Sequence, residues 1–431
     1  MAKSLQGKKL LILGGTTFSC EIVKCAQKMG IYTVVADYYE PCNSPAKQIA
    51  DQSFLVSVID VDAVVDLIKK ENIDGVIVGF NDMLLPYYAE ICKKAGLPCY
   101  ATKEQFEIFI DKQKYKNLCR QYDVPTVKEY YASFDELKND KIDIDYPVLV
   151  KPVDSSGSRG ISICSNKNEL ISAYEKALNF SATKNVLIEQ YLTGKEVTVF
   201  LVLQDGECYL SGIGNRHMKA SKDGVLPLPV GYTFPSIHTK RYVNDILPKV
   251  RKMLKDAKVK NGMVFMQCKV EDGVVIVYDL GLRLTGSLEY GIFDKLSHYN
   301  TLELMIRYAL TGSMADYSLA EVVDPFKGYG FNISVVAEPG IIAKIEGIEK
   351  IEALPEVAGV LISHLPGEEI TQEMYGLLSQ LTVRVVGAAN TYPDFVKVLN
   401  KITDSIKVID INGKNMVTRF LTEDDYKNSL C

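Results

Sequence analysis

The chain has 431 residues, enough for two or three domains and a large core. It carries 49 Lys and Arg against 54 Asp and Glu, a net charge of −5, which argues against a basic nucleic-acid surface; no apolar run approaches bilayer length. Ten cysteines lie scattered without a C-x-x-C pair, and four histidines (His217, His238, His298, His364) are too dispersed for a metal motif, so a cytoplasmic, reducing location is expected.

Met1-Ala2-Lys3-Ser4 leads straight into a strand-like run, without the apolar core of a secretory leader. Lys9–Leu13 reads as a short strand ending in Gly14-Gly15, followed by a helix over Cys20–Met29 and a strand, Thr33–Ala36, closed by Asp37. Apolar residues at 61, 64, 65 and 68 give helical spacing over Val61–Lys70, and Asp74-Gly75 turns into the strand Val76–Val78. This βαβ rhythm predicts a parallel sheet with crossover helices. Gly14-Gly15-Thr16-Thr17-Phe18-Ser19 supplies only the start of the G-x-G-x-x-G fingerprint, which argues against NAD or FAD. Asp37 is either a ligand contact in the switch-point crevice or a helix cap or solvated turn residue.

From 106 the character changes. One helix is expected over Phe106–Tyr122, stopping before Val124-Pro125. Val148–Lys151 and Ile161–Cys164 read as strands, Asn168–Leu178 as a helix and Val186–Glu189 as a strand. Residues 196–204 and 207–213 form one expected hairpin; Met263–Val270 and Val274–Asp279 form another. A three-residue loop, Glu271-Asp272-Gly273, would pair Val270 with Val274 and put Phe265, Gln267, Val277 and Asp279 on one face. Asn300–Leu310 is helical, and residues 325–431 read as α+β, with strands near 331–337, 341–346, 382–388 and 406–411.

The most telling stretch is Val148–Lys151 with the loop Asp154–Gly160 behind it. A lysine inside an apolar strand needs a partner, and the loop's glycines and serines let backbone N–H groups approach anionic oxygens. The lysine precedes the glycines, so this is not a Walker loop; alone, it is equally a surface turn.

Its neighbours fall in a telling order: Phe109-Ile110-Asp111-Lys112, Lys116, Val124-Pro125-Thr126, the Lys151 strand, Leu187-Ile188-Glu189-Gln190-Tyr191-Leu192 running on to Glu196, the Gln267 strand, and Asp279-Leu280-Gly281-Leu282-Arg283. Over about 1–320 this resembles the ATP-grasp superfamily of ATP-dependent carboxylate–amine or carboxylate–thiol ligases, which includes biotin carboxylase, carbamoyl phosphate synthetase and D-alanine–D-alanine ligase. Pro339–Glu349 and Val383–Ala388 are similar to the C-terminal domain of L-amino acid ligases. The resemblance implies a chain of α/β and α+β class. A Rossmann-like pre-ATP-grasp domain would cover 1–105. A two-lobed ATP-grasp domain would cover 106–320, with a mobile lobe about 124–190, and a small C-terminal α+β domain 321–431.

By the same resemblance, Lys116 and Lys151 contact the phosphates of ATP, and Ser155, Ser156, Gly157 and Ser158 belong to the loop that closes over them. Glu189, Gln190, Tyr191 and Leu192 match the hinge that holds adenine, largely through backbone groups. Glu196 matches the ribose carboxylate, and Arg283 would steady an acyl-phosphate or the transferring phosphoryl group. Gln267 and Asp279 stand at the metal positions, for Mg2+ as one or two ions. Arg216 and His217 lie where the acceptor substrate approaches, or are simply exposed loop residues. The family pattern E…E-x-N-x-R reads Gln267…Asp279-Leu280-Gly281-Leu282-Arg283 here, so weaker magnesium binding, or one firmly held ion, is expected. Glu289 is a further carboxylate with no assigned place.

Two functions are compatible with this pattern. In one, ATP phosphorylates a small carboxylate and an amine attacks the acyl-phosphate, with no protein nucleophile required. The partners are then small-molecule substrates, with no nucleic acid and no membrane, and a homodimer is the default assembly. In the other, the chain is a regulatory, non-catalytic ATP-binding homologue with an eroded metal site.

Overall fold

The computed structural model describes residues 5–139, 141–153, 160–219 and 227–431, so Ser155, Ser156, Gly157 and Ser158 lie outside the described residues. Strands β1 (Lys9–Leu13), β2 (Tyr32–Asp37), β3 (Gln52–Leu55) and β4 (Gly75–Ile77) form a parallel sheet in the order β3-β2-β1-β4. Leu10–Leu13 and Val34–Ala36 are buried throughout, as expected of strands covered on both faces.

The single helix expected over 106–122 is two, Lys103–Ile110 and Lys112–Gln121. Asp111 takes an extended conformation between them, and its carboxylate accepts the N–H groups of Gln113 and Lys114. An aspartate that caps a new first turn in this way competes with helix continuation.

A small antiparallel sheet follows, of β5 (Glu129–Tyr130), β6 (Val148–Pro152), β7 (Ser162–Cys164) and β8 (Val186–Gln190) in the order β5-β8-β6-β7. It has its own core, in which Val148, Val150 and Ile188 pack against Leu170 and Ala173 of the helix Lys167–Phe180. That core is separate from those of the other sheets.

The remaining strands are β9 (Lys195–Gln204), β10 (Glu207–Lys219), β11 (Leu228–Phe234), β12 (Gly262–Glu271), β13 (Val274–Gly281), β14 (Tyr329–Ala337), β15 (Gly340–Glu346), β16 (Val357–Ile362), β17 (Glu369–Ile370), β18 (Leu381–Ala389), β19 (Lys407–Asp410) and β20 (Val417–Arg419). Nine of them form one sheet, β13-β12-β9-β10-β11-β14-β18-β16, with β20 also on β14; β17-β15-β19 form a small one. Strand β11, a Pro-rich stretch in the sequence, is buried along its whole length and joins β10 to β14. The large sheet therefore crosses the expected boundary at 320 without a break. The first sheet shares its core with β9, β10, β12 and β13, while β14 and β18 centre a second core with the helix Tyr392–Ser405.

The β12–β13 hairpin departs from expectation. Glu271 pairs with Val274 around a two-residue turn, Asp272 and Gly273, both at positive φ. A bulge then intervenes, so that Val277 faces Cys268 but Asp279 faces Gln267. Val277 thus leaves the face that Gln267 and Asp279 share. No helix among the described residues is long and apolar enough to cross a membrane.

Candidate active site

Glu129 of β5 and Glu189 of β8 are directly opposite each other in register, an arrangement that repels unless a cation intervenes. Lys116 is that cation. The helix Lys112–Gln121 presents it, with no exposed surface, so that Nζ lies 2.9 Å from Glu129 Oε1 and bonds Glu189 Oε1 as well. Lys151 of β6 reaches the other oxygen of Glu189 at 2.7 Å, and Arg120 reaches Glu129 Oε2 at 2.5 Å. Burial disfavours charge on Glu189, but Lys151 and Lys116 outweigh it and hold the carboxyl below its ordinary range. Glu129 behaves likewise, with burial overcome by Lys116, Tyr131 and Arg120.

The two lysines predicted to meet phosphates are therefore brought together, on a shared glutamate. They differ in access: Lys116 is enclosed, whereas Lys151 keeps about 10% of its side chain exposed. Lys112, one turn before Lys116 on the same helix, joins them. Burial and Lys151 depress its pKa, with Asp279 and Glu189 opposing. In the segment expected to be the hinge, Gln190 and Tyr191 donate their backbone N–H groups to Lys128 O and Pro147 O, and Tyr191 and Leu192 are half-buried.

Alternation along β9 puts Glu196, Thr198 and Phe200 on one face of the large sheet. Register extends that face to Lys269, Gln267 and Phe265 of β12 and to Arg216 of β10. It continues through Tyr232 of β11 and Asn332 and Ser334 of β14 to Arg384 of β18. Glu196 is held by Arg216 at 2.6 Å, Lys269 at 3.1 Å and the Tyr278 hydroxyl at 3.1 Å. A ribose at Glu196 would have to share these oxygens. His217 lies on the opposite face, half-buried, with Nε2 2.8 Å from Thr233 Oγ1, and burial pushes its pKa down to about 4. It is neither an exposed loop residue nor beside Arg216's partners.

Gln267 and Asp279 face each other across the hairpin, and Thr198, beside Gln267 on β9, keeps a buried hydroxyl without a partner among the described residues. Burial raises the pKa of Asp279, with Lys151 and Lys112 opposing and Asp82 adding to the rise. The group of one carboxylate, one amide oxygen and an orphaned hydroxyl fits a single hard cation completed by phosphate oxygens. Among the described residues no cluster of three or more His, Cys, Asp or Glu could hold a metal alone. Gly281 has a packing reason: a Cβ there would lie 2.4 Å from the Phe265 ring. The ring takes the space an asparagine would fill, and it also underlies Arg283, whose Cζ is 5.0 Å from its centroid.

Arg283 is clamped by a residue of the first sheet's loops. Asp82, just beyond β4, accepts from Arg283 Nε and Nη2, both at 2.6 Å, and Leu284 O accepts from Nη1 at 2.8 Å. Glu289 is buried and held by the hydroxyls of Thr285 and Ser287; burial raises its pKa despite them. Its charge is felt by Arg384 and Tyr290.

Residues 110–223 match the sequence family described as D-ala D-ala ligase C-terminus. A formate-dependent phosphoribosylglycinamide formyltransferase of Prochlorococcus marinus is 30% identical over 189 residues, 43% of this chain and 48% of that protein. The 2-oxoglutarate carboxylase small subunit of Hydrogenobacter thermophilus is 24% identical over 402 residues, 87% of this chain and 82% of that one. The chain spans about half the length of the formyltransferases it matches. Among solved structures, an L-amino acid ligase from Bacillus licheniformis superposes with a TM-score of 0.75 at 19% identity, covering 94% of this chain and 99% of that one. The chain carries the ATP-grasp fold, as the sequence resemblance implied.

Proposed function

We propose that the chain is an ATP-dependent carboxylate–amine ligase acting through an acyl-phosphate, with one magnesium ion at Asp279 and Gln267. One observation carries this reading. Lys151 of the small lobe, Lys112 of the helix Lys112–Gln121 and the hairpin carboxylate Asp279 lie close enough to feel one another's charge, and Asp279 in turn senses Asp82, the partner of Arg283. This proximity supports reading Lys151 and Lys112 as phosphate-binding, Asp279 as metal-binding and Arg283 as phosphoryl-stabilising.

In this reading Lys151 and Lys112 offset the charge of the ATP phosphates, and Lys116 fixes Glu189 so that the lobe keeps its shape. A substrate carboxylate oxygen attacks the γ-phosphorus, and ADP leaves. The amine then attacks the acyl carbon, inorganic phosphate leaves and the nitrogen gives up a proton. Arg283 stabilises the charge that develops on the transferring phosphoryl group. Bound magnesium would supply Lewis-acid stabilisation of phosphate oxygens. The formyltransferase, carboxylase and amino acid ligase relatives support ATP-driven activation of a small carboxylate.

A second reading, a regulatory nucleotide-binding protein, draws on the single metal carboxylate and on Gly281. The test is phosphate release from ATP and magnesium in the presence of pooled carboxylates and amines. Release that depends on a substrate pair supports the ligase. ATP binding with no turnover for any pair moves the assignment to the regulatory reading.

A further inference from the structure

The reaction as written leaves a buried carboxyl unused. Glu289 opens the helix Glu289–Ser297 with about 1% of its surface exposed, at the end of the loop that runs on from Arg283. Around the site, Glu129 and Glu189 are bonded to lysines, Glu196 to Arg216 and Lys269, and Asp82 to Arg283. Among the described residues Glu289 pairs with no cation, only with hydroxyls and backbone N–H groups. Its Oε2 meets the hydroxyl of Thr285 and, at 2.8 Å, that of Ser287, and the two hydroxyls also meet each other.

The three oxygens form a triangle of contacts, and each hydroxyl has one proton to donate. With Glu289 ionised, both protons point at its Oε2, and the Thr285–Ser287 contact sets lone pair against lone pair. With a third proton on Oε2 the triangle closes, each oxygen donating to the next. Burial acts in the same direction: it raises the pKa of Glu289 against the two hydroxyls and the backbone N–H groups of Thr285 and Glu289. The other titratable groups that feel its charge are Arg384 on β18, Tyr290 and Tyr299, and Tyr290 in turn bonds Glu21 at 3.3 Å.

Glu289 is enclosed, but Thr285 and Ser287 are half-buried. Both stand on the loop of Arg283, within four residues of it, so their Cα atoms lie at most roughly 14 Å from its own. Asn332 Nδ2 donates to Ser287 O and Arg384 Nη1 to Gly286 O, which fixes the loop against the polar face of the large sheet. A hydroxyl of this loop is thus the path from the site to the enclosed carboxyl.

We infer that Glu289 accepts the proton of the attacking amine, relayed by the hydroxyl of Ser287. This rests on the ligase reading and adds a proton path to it. The nitrogen bonds the acyl carbon, and phosphate leaves with the electrons of the broken C–O bond. The N–H proton passes to Ser287 Oγ, and the proton of Ser287 passes to Glu289 Oε2. The triangle holds this third proton until it returns to solvent by the same route. Glu289 acts through Ser287 and touches no substrate itself.

Glu289→Gln is the discriminating substitution. An amide nitrogen at that corner donates to both hydroxyls, so the contacts remain while the capacity to accept a proton is lost. Turnover is read with ATP, magnesium and a pool of the common amino acids as acyl donors and acceptors, then with hydroxylamine as acceptor. Amino acids are ammonium ions at pH 7 and must shed a proton before attack, whereas hydroxylamine is already neutral. Glu289→Gln should slow amide formation about a hundredfold and hydroxamate formation less than about tenfold. Glu289 must be ionised to accept, so the wild-type rate should fall with a step on the acid side, above the ordinary 4.5, that the variant lacks. Ser287→Ala should behave like Glu289→Gln, and Ser287→Thr, which keeps a hydroxyl, should restore most of the rate. Affinity for a non-hydrolysable ATP analogue should be unchanged in all three, which reports that they fold. Equal losses with both acceptors, an unaltered acid step, or full activity in Glu289→Gln would overturn the inference. Infrared difference spectra of the nucleotide-free chain, wild type minus Glu289→Gln, should show a protonated carboxyl persisting above pH 4.5, and its absence there would overturn the inference even if no pair turns over. Silence of the whole pool and of hydroxylamine would sink the ligase reading and the relay with it, while the infrared band alone decides whether the triangle holds a proton.

Discussion

Replacing Lys116 by Met keeps most of the side chain's volume and removes only the cation between two facing glutamates. Glu189 would retain Lys151, and Glu129 would retain Arg120. Breaking a buried ion pair by removing one partner costs about 3–5 kcal/mol, and the remaining cations place this case near the lower end, about 3 kcal/mol. The loss should fall on the small lobe, whose core is separate. Both carboxyls titrate below the ordinary 4.5 in the folded chain. A depressed carboxyl stabilises the fold above the unfolded pKa, and that contribution vanishes as pH falls through the folded value. The gap between wild type and Lys116→Met should therefore be widest at neutral pH and close below about pH 4.5, as protonation removes the repulsion that Lys116 offsets. Thermal and urea unfolding from pH 7 down to pH 4, with hydrogen exchange of β5, β6 and β8, measures it. A gap that stays constant with pH, or no gap at all, would refute the argument that Lys116 acts as a counter-ion to this pair.

Asp82→Asn should cost little stability, about 1 kcal/mol or less, because Asp82 is 39% exposed. ATP turnover should fall by about a hundredfold as Arg283 loses its clamp, with nucleotide affinity nearly unchanged, and equal turnover would show that Arg283 needs no support. His217, with a pKa near 4, is neutral around neutral pH. Because burial lowers its pKa, wild type loses stability as pH drops from about 6.5 toward 4, by at most about 1.4 kcal/mol per pH unit. His217→Asn should flatten that part of the stability profile, and an unaltered slope would place the titration elsewhere.

Lys151 was legible because an ammonium in an apolar strand needs an anion, and Glu189 follows in the same motif order. Glu129 and Asp82 were not, since each acts across distance: Glu129 through register with Glu189, Asp82 through a clamp 201 residues away. Lys112 carried a usable signal, its helical spacing of four from Lys116, although the predicted single helix concealed the cap at Asp111 that starts the turn bearing both. Alternation foretold that Gln267 and Asp279 share a face. It paired them wrongly because a bulge leaves no mark in a run of alternating apolar residues. Strand β11 was hidden by Pro229, which sits at an irregularity in the β10 pairing, and by Pro227 and Pro235 on either side of it. Arg384 stood inside a stretch matched only to a C-terminal domain, and the carbonyl it bonds, Gly286 O, lies in a loop nearly a hundred residues earlier.

The departure at Gly281 is a matter of packing as much as of lost chemistry, and that can be tested by paired substitution. Gly281 and Phe265 face each other in register, and an added Cβ meets the ring at 2.4 Å. Gly281→Asn alone should force the ring to move, at a cost of about 1–3 kcal/mol. It should also disturb Arg283, which rests on that ring. Phe265→Ala alone should leave a cavity, costing about 3–5 kcal/mol. Combined, the asparagine occupies the space the ring vacates, so the double variant should be more stable than the sum of the single costs predicts. Its amide oxygen would also stand beside Asp279, and magnesium should support nucleotide binding at lower concentration than in wild type. A double variant whose stability is additive would show that the two positions do not compete for one space. Normal coupling with unchanged magnesium dependence would show that ring and asparagine exchange space but that the metal site draws nothing from position 281.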